Sequence, residues 1–127
     1  MFDDRSPIYR QIADQIRRDV VTGLLAEEDQ VMSTTQYATF HRINPATAAK
    51  AFAELVDEGV LYKRRGVGMF VAPGAAARLL AERRAGFVDR VVVPLVDEAQ
   101  RLGLDVDEVL DTVRRQFSTR AVHRSAP

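Results

Sequence analysis

Apolar residues at helical spacing predict the first element of the chain. Isoleucine and valine recur every four residues from Ile8 to Val20 and form one stripe along roughly four helical turns. Ser6 and Pro7 precede the stripe as an N-cap and a first helical residue, and Gly23 follows it as a C-cap. The pattern therefore predicts an amphipathic helix between Pro7 and Gly23.

Two further helix starts follow in close succession. Ser33 and Gln36 have the spacing of a capping box, which predicts a short second helix. Asn44-Pro45 combines an N-cap with a proline at the first helical position, and Gly59 ends the helix that starts there. The inward positions of this third helix are Ala48, Ala51, Phe52, Leu55 and Val56.

The hydrophobic period changes from near 3.6 to 2 after Gly59. The segments 60–64 and 69–71 alternate as strands, and the intervening Arg65-Gly66-Val67-Gly68 supplies two glycines for a tight turn. We therefore predict a β-hairpin over residues 60–72, with positive charge beside its tip.

A second helical region follows the boundary at Pro73-Gly74. Pro94 lies inside it and is expected to kink or divide the helix, and Gly103 ends it. Residues 105–117 predict a final short amphipathic helix. Apolar residues with alternating spacings of four and three form a stripe along the first of these helices: Ala81, Ala85, Val88, Val92, Leu95, Ala99 and Leu102.

The order of helix, short helix, turn, helix and β-hairpin predicts a winged helix-turn-helix. The fold class is mainly α with a small β-hairpin: an N-terminal winged helix-turn-helix followed by a short two-helix dimerisation segment. We assign residues 1–72 to a DNA-binding domain, 73–118 to the helical dimerisation segment and 119–127 to a flexible tail.

Composition excludes several classes of function. The 127 residues contain no cysteine and two histidines, which excludes disulfides and thiolate chemistry and makes a zinc site improbable. The sequence offers no histidine cluster, phosphate loop or paired carboxylates, so we expect neither an enzyme, nor a metal site, nor a cofactor. It contains neither a signal peptide nor an apolar run of the ~20 residues that span a bilayer. We therefore expect a cytoplasmic protein with no membrane partner.

The charge distribution matters more than its sum, which is zero. Residues 1–30 contain four Arg against seven Asp and Glu, whereas residues 41–71 contain five Lys and Arg against three Asp and Glu. The acidic residues of the third helix follow Lys50, toward the end that would face away from DNA. The positive charge that would favour DNA binding is therefore concentrated on the side of the domain expected to face DNA.

Residues 7–72 contain an ordered set of motifs. They include Pro7-Ile8-Tyr9-x-Gln11-Ile12, Gly23-x-Leu25, Asn44-Pro45-x-Thr47, Ala51-Phe52-x-x-Leu55-x-x-Glu58-Gly59-x-Leu61 and Arg64-Arg65-Gly66-x-Gly68-x-Phe70-Val71. This set resembles the DNA-binding domain of GntR-type bacterial transcription regulators. The short helical remainder is similar to the YtrA-like branch of that family, which lacks a large ligand-binding domain and uses this part mainly for dimerisation.

Two positions depart from the family pattern. Thr35 stands where the family has a DNA-contacting arginine, and the acidic turn 27–30 replaces a turn with Pro-Gly and basic residues. Both changes remove favourable electrostatic interactions with DNA.

The expected contacts with DNA come from the starts of the second and third helices, the turn between them and the wing. We assign them to Ser33, Thr35, Arg42, Asn44, Thr47, Lys50, Lys63, Arg64, Arg65, Gly66 and Gly68. The expected homodimer interface is the apolar stripe from Ala81 to Leu102, because a helix of ~27 residues is ~40 Å long and has few partners within the chain.

The function that follows is a homodimeric, sequence-specific transcription regulator of a bacterium. It would bind an inverted-repeat operator in double-stranded DNA through the third helix and the wing, and we favour a repressor over an activator. The alternative is a winged-helix module that binds a protein or nonspecific DNA. Whether a small-molecule effector exists stays open, because the chain contains no recognisable effector domain.

Overall fold

The computed structural model describes residues 2–125, which divide into two compact units, 2–84 and 85–125. The first unit begins with three helices, α1 (Ile8–Thr22), α2 (Thr34–His41) and α3 (Pro45–Asp57). Two strands and a further helix follow: β1 (Leu61–Arg64), β2 (Gly68–Val71) and α4 (Ala75–Ala85). A winged helix-turn-helix, predicted from the order of elements, is confirmed.

Local side-chain chemistry sets the helix boundaries. The Ser33 hydroxyl accepts from the Gln36 N–H at 3.1 Å, and the Gln36 side chain accepts from the Ser33 N–H at 3.0 Å. Asn44 Oδ1 accepts from the Ala46 N–H at 2.8 Å at the start of α3. Gly23 ends α1 with φ +86°, a left-handed conformation that glycine adopts without strain. The predicted caps of α2 and α3 and the predicted end of α1 are confirmed. The predicted start of α1 was wrong by one residue, because Pro7 and not Ser6 is its N-cap.

The core of the first unit lies where α1 and α2 pack against α3. Phe52, Leu55 and Ile12 are among its fully buried side chains, and the edge of the Phe52 ring faces Tyr37 at 5.4 Å between centroids. Ala75 and Leu79 of α4 belong to the same core, so this unit extends beyond the expected boundary at residue 72. Burial of apolar side chains from four helices and the hairpin stabilises the arrangement.

The hairpin is antiparallel, with Leu61 opposite Val71 and Arg64 opposite Gly68. The segment 28–31 pairs with its second strand: the Glu28 N–H donates to the Val71 carbonyl at 2.9 Å, and the Val31 N–H donates to the Met69 carbonyl at 2.9 Å. The acidic segment before α2 therefore lines one edge of the wing, an arrangement that the sequence pattern did not reveal.

The second unit is helical. A π-helical segment, Val88–Val92, precedes α5 (Val93–Arg101), and α6 (Val106–Ser125) follows. The predicted division near Pro94 is confirmed: proline has no N–H for the α-helical ladder, and the chain changes to a wider i→i+5 register just before it, with the Val93 N–H donating to Val88.

Helix α6 extends through residues 119–125, where the sequence predicts a flexible tail. The expectation that helical structure ends near residue 118 was wrong, because neither glycine nor proline interrupts this stretch. The flexibility of the stretch stays a prediction, and residues 126–127 lie outside the described residues. Within residues 2–125, no helix is both long and apolar enough to cross a membrane.

Candidate nucleic-acid interface

The first turn of α2 presents polar groups to solvent. Ser33 serves as the N-cap of this helix, whereas Thr35, two residues further, is exposed and its hydroxyl has no hydrogen-bond partner among the described residues. Amide N–H groups at a helix N-terminus carry partial positive charge and favour a bound anion such as a phosphate. The predicted roles of Ser33 and Thr35 are compatible with this placement.

The turn between α2 and α3 places one cation and two polar residues beside the start of α3. Arg42 ends α2 in a left-handed conformation with φ +55°, and its guanidinium is exposed without an ion pair in the described part of the chain. Asn44 caps α3, and Thr47 is half-buried in its first turn. The predicted residues of this turn therefore lie together at the N-terminal end of α3.

Lys50 lies one turn further along α3 and points toward α1. Its Nζ is 4.1 Å from the ring centroid of Tyr9, a cation–π distance. The neighbouring Arg10 side chain donates to the Tyr9 hydroxyl at 3.2 Å and lowers the pKa of that phenol. Lys50 is exposed, so the ring positions its ammonium group at the surface near the N-terminal half of α3.

The wing turn depends on its two glycines. Gly66 has φ +77° and Gly68 has φ +145°, conformations that disfavour other residues. A Cβ atom on Gly68 would lie 2.6 Å from the Gln30 amide nitrogen, which donates to the Val67 carbonyl at 3.1 Å. This contact brings the tip of the wing next to the segment that leads into Ser33.

The three cations of the wing have different environments. Lys63 and Arg65 are exposed and form no ion pair with a carboxylate of the described residues. Arg64 instead donates to Glu28 at 2.9 Å and to the Tyr62 hydroxyl at 2.9 Å, and its guanidinium lies 4.4 Å from the Phe70 ring centroid. In the free protein, Arg64 is therefore engaged by its neighbours, whereas Arg65 is available.

Glu28 completes the cluster around Arg64. It has φ +69°, and its carboxylate accepts a hydrogen bond from the Tyr62 hydroxyl. This hydrogen bond is the main cause of the raised pKa of Tyr62, and desolvation acts in the same direction. The acidic turn thus interacts with the base of the wing. Sequence periodicity does not indicate this contact, because Glu28 and Arg64 are 36 residues apart.

Two acidic residues at the C-terminal end of α3, Glu54 and Glu58, lie beside Arg17 of α1. Arg17 of α1 forms a hydrogen-bonded ion pair with Glu58 and lies 3.6 Å from a Glu54 carboxylate oxygen. The hydrogen bond to Glu58 is the main cause that raises the pKa of Arg17. The negative charge at the C-terminal end of α3 is thereby partly compensated. No group of three or more metal-ligating side chains occurs among the described residues.

The stripe predicted for the dimer interface differs along its length. Val92 is half-buried and Ala99 is buried within the chain, whereas the remaining five members are exposed. Many other apolar side chains of residues 85–121 also lie at the surface outside this stripe, and those of α6 belong to the predicted final amphipathic helix. The large ones are Phe87, Val91, Val93, Val96, Leu104, Val106, Leu110 and Phe117.

An apolar groove runs between α5 and α6 of the second unit. Leu95, Leu102 and Val113 line it, and its volume is about 220 Å³. Three members of the predicted stripe, Leu95, Ala99 and Leu102, therefore lie at a concave apolar surface, of the kind that a protein partner can fill.

The comparisons with known proteins agree with this architecture. The HTH-type transcriptional regulator YhcF of Bacillus subtilis (strain 168) is 31% identical over 113 residues, which cover 89% of this chain and 92% of YhcF. The HTH-type transcriptional repressor YtrA of the same organism is 28% identical over 114 residues, covering 88% of this chain and 87% of YtrA. No protein-family model matches the chain.

Solved structures show the same relationship. A transcriptional regulator of the GntR family from Bacteroides thetaiotaomicron has a TM-score of 0.70 and 31% identity, covering 90% of this chain and 98% of that one. The DNA-binding domain of AraR in complex with operator ORR3 has a TM-score of 0.51 and 25% identity, covering 57% of this chain and 87% of that one. These relatives are transcription regulators and not enzymes. The chain therefore belongs to the GntR family of DNA-binding transcription regulators, in its YtrA-like branch.

Proposed function

We propose that the protein is a homodimeric repressor that binds an inverted-repeat operator, with α3 in the major groove and the wing beside it. The carrying observation is a group of exposed, unpaired polar and cationic side chains at the start of α2, in the inter-helix turn and in the wing: Thr35, Arg42, Lys63 and Arg65. This distribution fits a helix-turn-helix that approaches a phosphate backbone from one side. The AraR domain bound to its operator supports the same mode.

The second unit supports the proposed homodimer. Within residues 85–121, Ala99 alone is buried, whereas eleven large apolar side chains of that range are exposed. A helical unit with so little internal core gains most of its stability from burial against a partner. A second copy of the chain is the simplest partner, since most soluble oligomers are symmetric homo-oligomers.

A two-fold dimer predicts the form of the operator. Its two winged units would contact half-sites on one face of the DNA, separated by about one helical turn, ~10 bp from centre to centre. We expect footprinting on the promoter region of the protein's own gene to show two symmetry-related protected half-sites per dimer. A single asymmetric site would contradict the proposed arrangement. Equal affinity for every DNA would favour nonspecific binding, and the absence of binding would favour a protein partner.

The two wing arginines are expected to differ in their contribution to binding. Arg65→Ala should weaken binding to the operator and to DNA of random sequence to a similar extent. The slope of log affinity against log salt concentration should fall by about one unit, as expected for loss of one phosphate contact. Arg64→Ala should change the salt slope less, because Glu28 already pairs with this guanidinium. Fluorescence anisotropy across a salt series measures both slopes. Equal slopes for the two variants would show that Glu28 releases Arg64 on DNA.

Arginine at position 35 should strengthen DNA binding. Thr35 offers one neutral hydrogen bond of ~1 kcal/mol, whereas a guanidinium would add a charge-assisted contact of ~1.5–3 kcal/mol. Thr35→Arg should therefore tighten binding several-fold and steepen the salt dependence. Thr22→Arg, at the end of α1, adds the same charge and serves as the control. Equal effects of both variants, or no change in either, would place the start of α2 away from the DNA backbone.

A further inference from the structure

A cavity of about 400 Å³ opens between α1, α2 and the segment that connects α1 to α2, within the first unit. Its walls include the rings of Tyr37 and His41 and the side chain of Met32. The Tyr37 and His41 ring centroids are 4.2 Å apart, so the two rings form a continuous aromatic surface. Cavities of this size that combine apolar walls with a few polar groups are typical of small-molecule sites.

One carboxylate lies at this cavity without a cationic partner. Asp19 forms no ion pair with any of the described residues, and it accepts one side-chain hydrogen bond, from the Gln15 amide at 3.0 Å. The nearby Arg18 guanidinium donates to Gln15 Oε1 at 2.9 Å, and it forms no ion pair with the Asp19 carboxylate. The charge of Asp19 is therefore uncompensated beside an aromatic wall.

Tyr37 forms part of the aromatic wall and lies close enough to Asp19 to respond to its charge. Burial raises the pKa of its phenol, and the negative charge of Asp19 acts in the same direction. The Tyr37 side chain is 8% exposed, and its hydroxyl has no hydrogen-bond partner among the residues that the structure describes. A ligand in the cavity would thus meet an aromatic face, an open hydroxyl group and an unpaired negative charge.

We propose that this cavity binds a small organic cation, with its charged nitrogen against Asp19 and its apolar body against Tyr37 and Met32. An aromatic face and a carboxylate both attract a cation, and a weakly hydrated alkylammonium group loses little hydration when it enters an apolar site. A neutral ligand of the same shape would gain from the apolar walls alone, and an anion would be repelled by Asp19.

The cavity is coupled to the elements that would contact DNA, a step that rests on the proposed function. Met32 directly precedes the N-cap of α2, and the lining residue Gln30 holds the wing tip through the Val67 carbonyl. A ligand that binds the free and the DNA-bound protein with different affinities changes the affinity for DNA by the same factor. The site would therefore allow a small cation to regulate operator binding without a separate effector domain.

Binding of a probe and its uncharged isostere to the full chain tests the site. Benzyltrimethylammonium and neopentylbenzene have the same shape and differ in charge, and amide NMR shifts report both affinity and location. We expect the cation to bind about tenfold more tightly than the isostere, with shifts around Tyr37 and Met32. Equal affinities, no saturable binding or shifts elsewhere would overturn the proposal.

Two variants identify the carboxylate. Asp19→Asn retains an oxygen that can accept from Gln15 and should remove the preference for the cation. Asp57→Asn, an equal charge change at the exposed end of α3, should leave the preference intact. Loss of the preference in both variants, or in neither, would overturn the role of Asp19. Thermal unfolding of both variants verifies that the fold is retained.

A separate measurement tests the coupling. Saturating benzyltrimethylammonium should change the operator affinity of the parent several-fold and leave that of Asp19→Asn unchanged. Probe binding without any change in operator affinity would overturn the coupling. A parent that binds the probe but no DNA would overturn the proposed function while the cation site stands.

Discussion

Replacing Val92 and Leu95 together with aspartate should convert the protein to a monomer and abolish tight operator binding. In a two-fold dimer each substitution places a carboxylate near its symmetry mate inside an apolar seam, and leaving such charges buried without partners costs several kcal/mol. Leu95 is exposed in the single chain and Val92 is half-buried, so both positions tolerate a polar residue in the monomer better than in a seam. Sedimentation velocity measures the assembly state, and anisotropy measures operator affinity.

A matched control separates interface loss from added charge. Gln100 and Gln116 are exposed polar residues of the same unit, and their joint replacement with aspartate adds the same negative charge outside the apolar stripe. This control should remain dimeric and bind the operator with a modest loss from electrostatic repulsion. A dimer that survives the Val92/Leu95 double substitution would place the interface elsewhere on the second unit.

Local signals explain how much of the fold was predictable. The capping pair Ser33 and Gln36, the N-cap Asn44 and the wing glycines each specify a helix start or a turn through chemistry contained in a few consecutive residues. The order of these elements then sufficed for the winged helix-turn-helix. The same locality made the end of α1 and the division of the helix near Pro94 predictable.

Long-range contacts explain what the sequence did not reveal. The acidic turn was interpreted as an electrostatic loss, yet Glu28 pairs with Arg64 and its backbone joins the edge of the wing. Such pairing depends on which segments meet after folding, and a carboxylate 36 residues away carries no periodic signal. The cavity beside Asp19 was equally hidden, because its walls come from separate parts of the first unit.

Surface exposure also departs from periodicity on α2. Phe40 is one of the few apolar residues of this helix, but it is 69% exposed. An eight-residue helix has only two turns, so its few apolar residues define the buried face poorly, and the buried ones are Tyr37 and Ala38. The exposed Phe40 provides a direct comparison for the buried phenylalanine of α3.

Phe52→Ala should cause the largest loss of stability in the first unit and weaken operator binding as a consequence. Phe52 is 1% exposed and its ring meets Tyr37 edge to face, so the substitution removes buried surface, leaves a cavity and breaks an aromatic pair. We expect the free energy of unfolding to fall by about 3–5 kcal/mol, a large part of the ~5–15 kcal/mol typical of a domain. Because Phe52 connects α3 to α2, the start of α3 should also lose its fixed position, and DNA affinity should fall even at temperatures where the variant is folded.

Phe40→Ala is the matched control for this substitution, since it deletes the same ring from an exposed position of α2. Its free energy of unfolding should stay within about 0.5 kcal/mol of the parent, as for most surface substitutions. Urea denaturation followed by circular dichroism, at equal protein concentration because a dimer gains stability with concentration, compares the two variants. Equal losses would mean that Phe40 is covered in solution, and no loss in Phe52→Ala would mean that α3 is held in place without this ring.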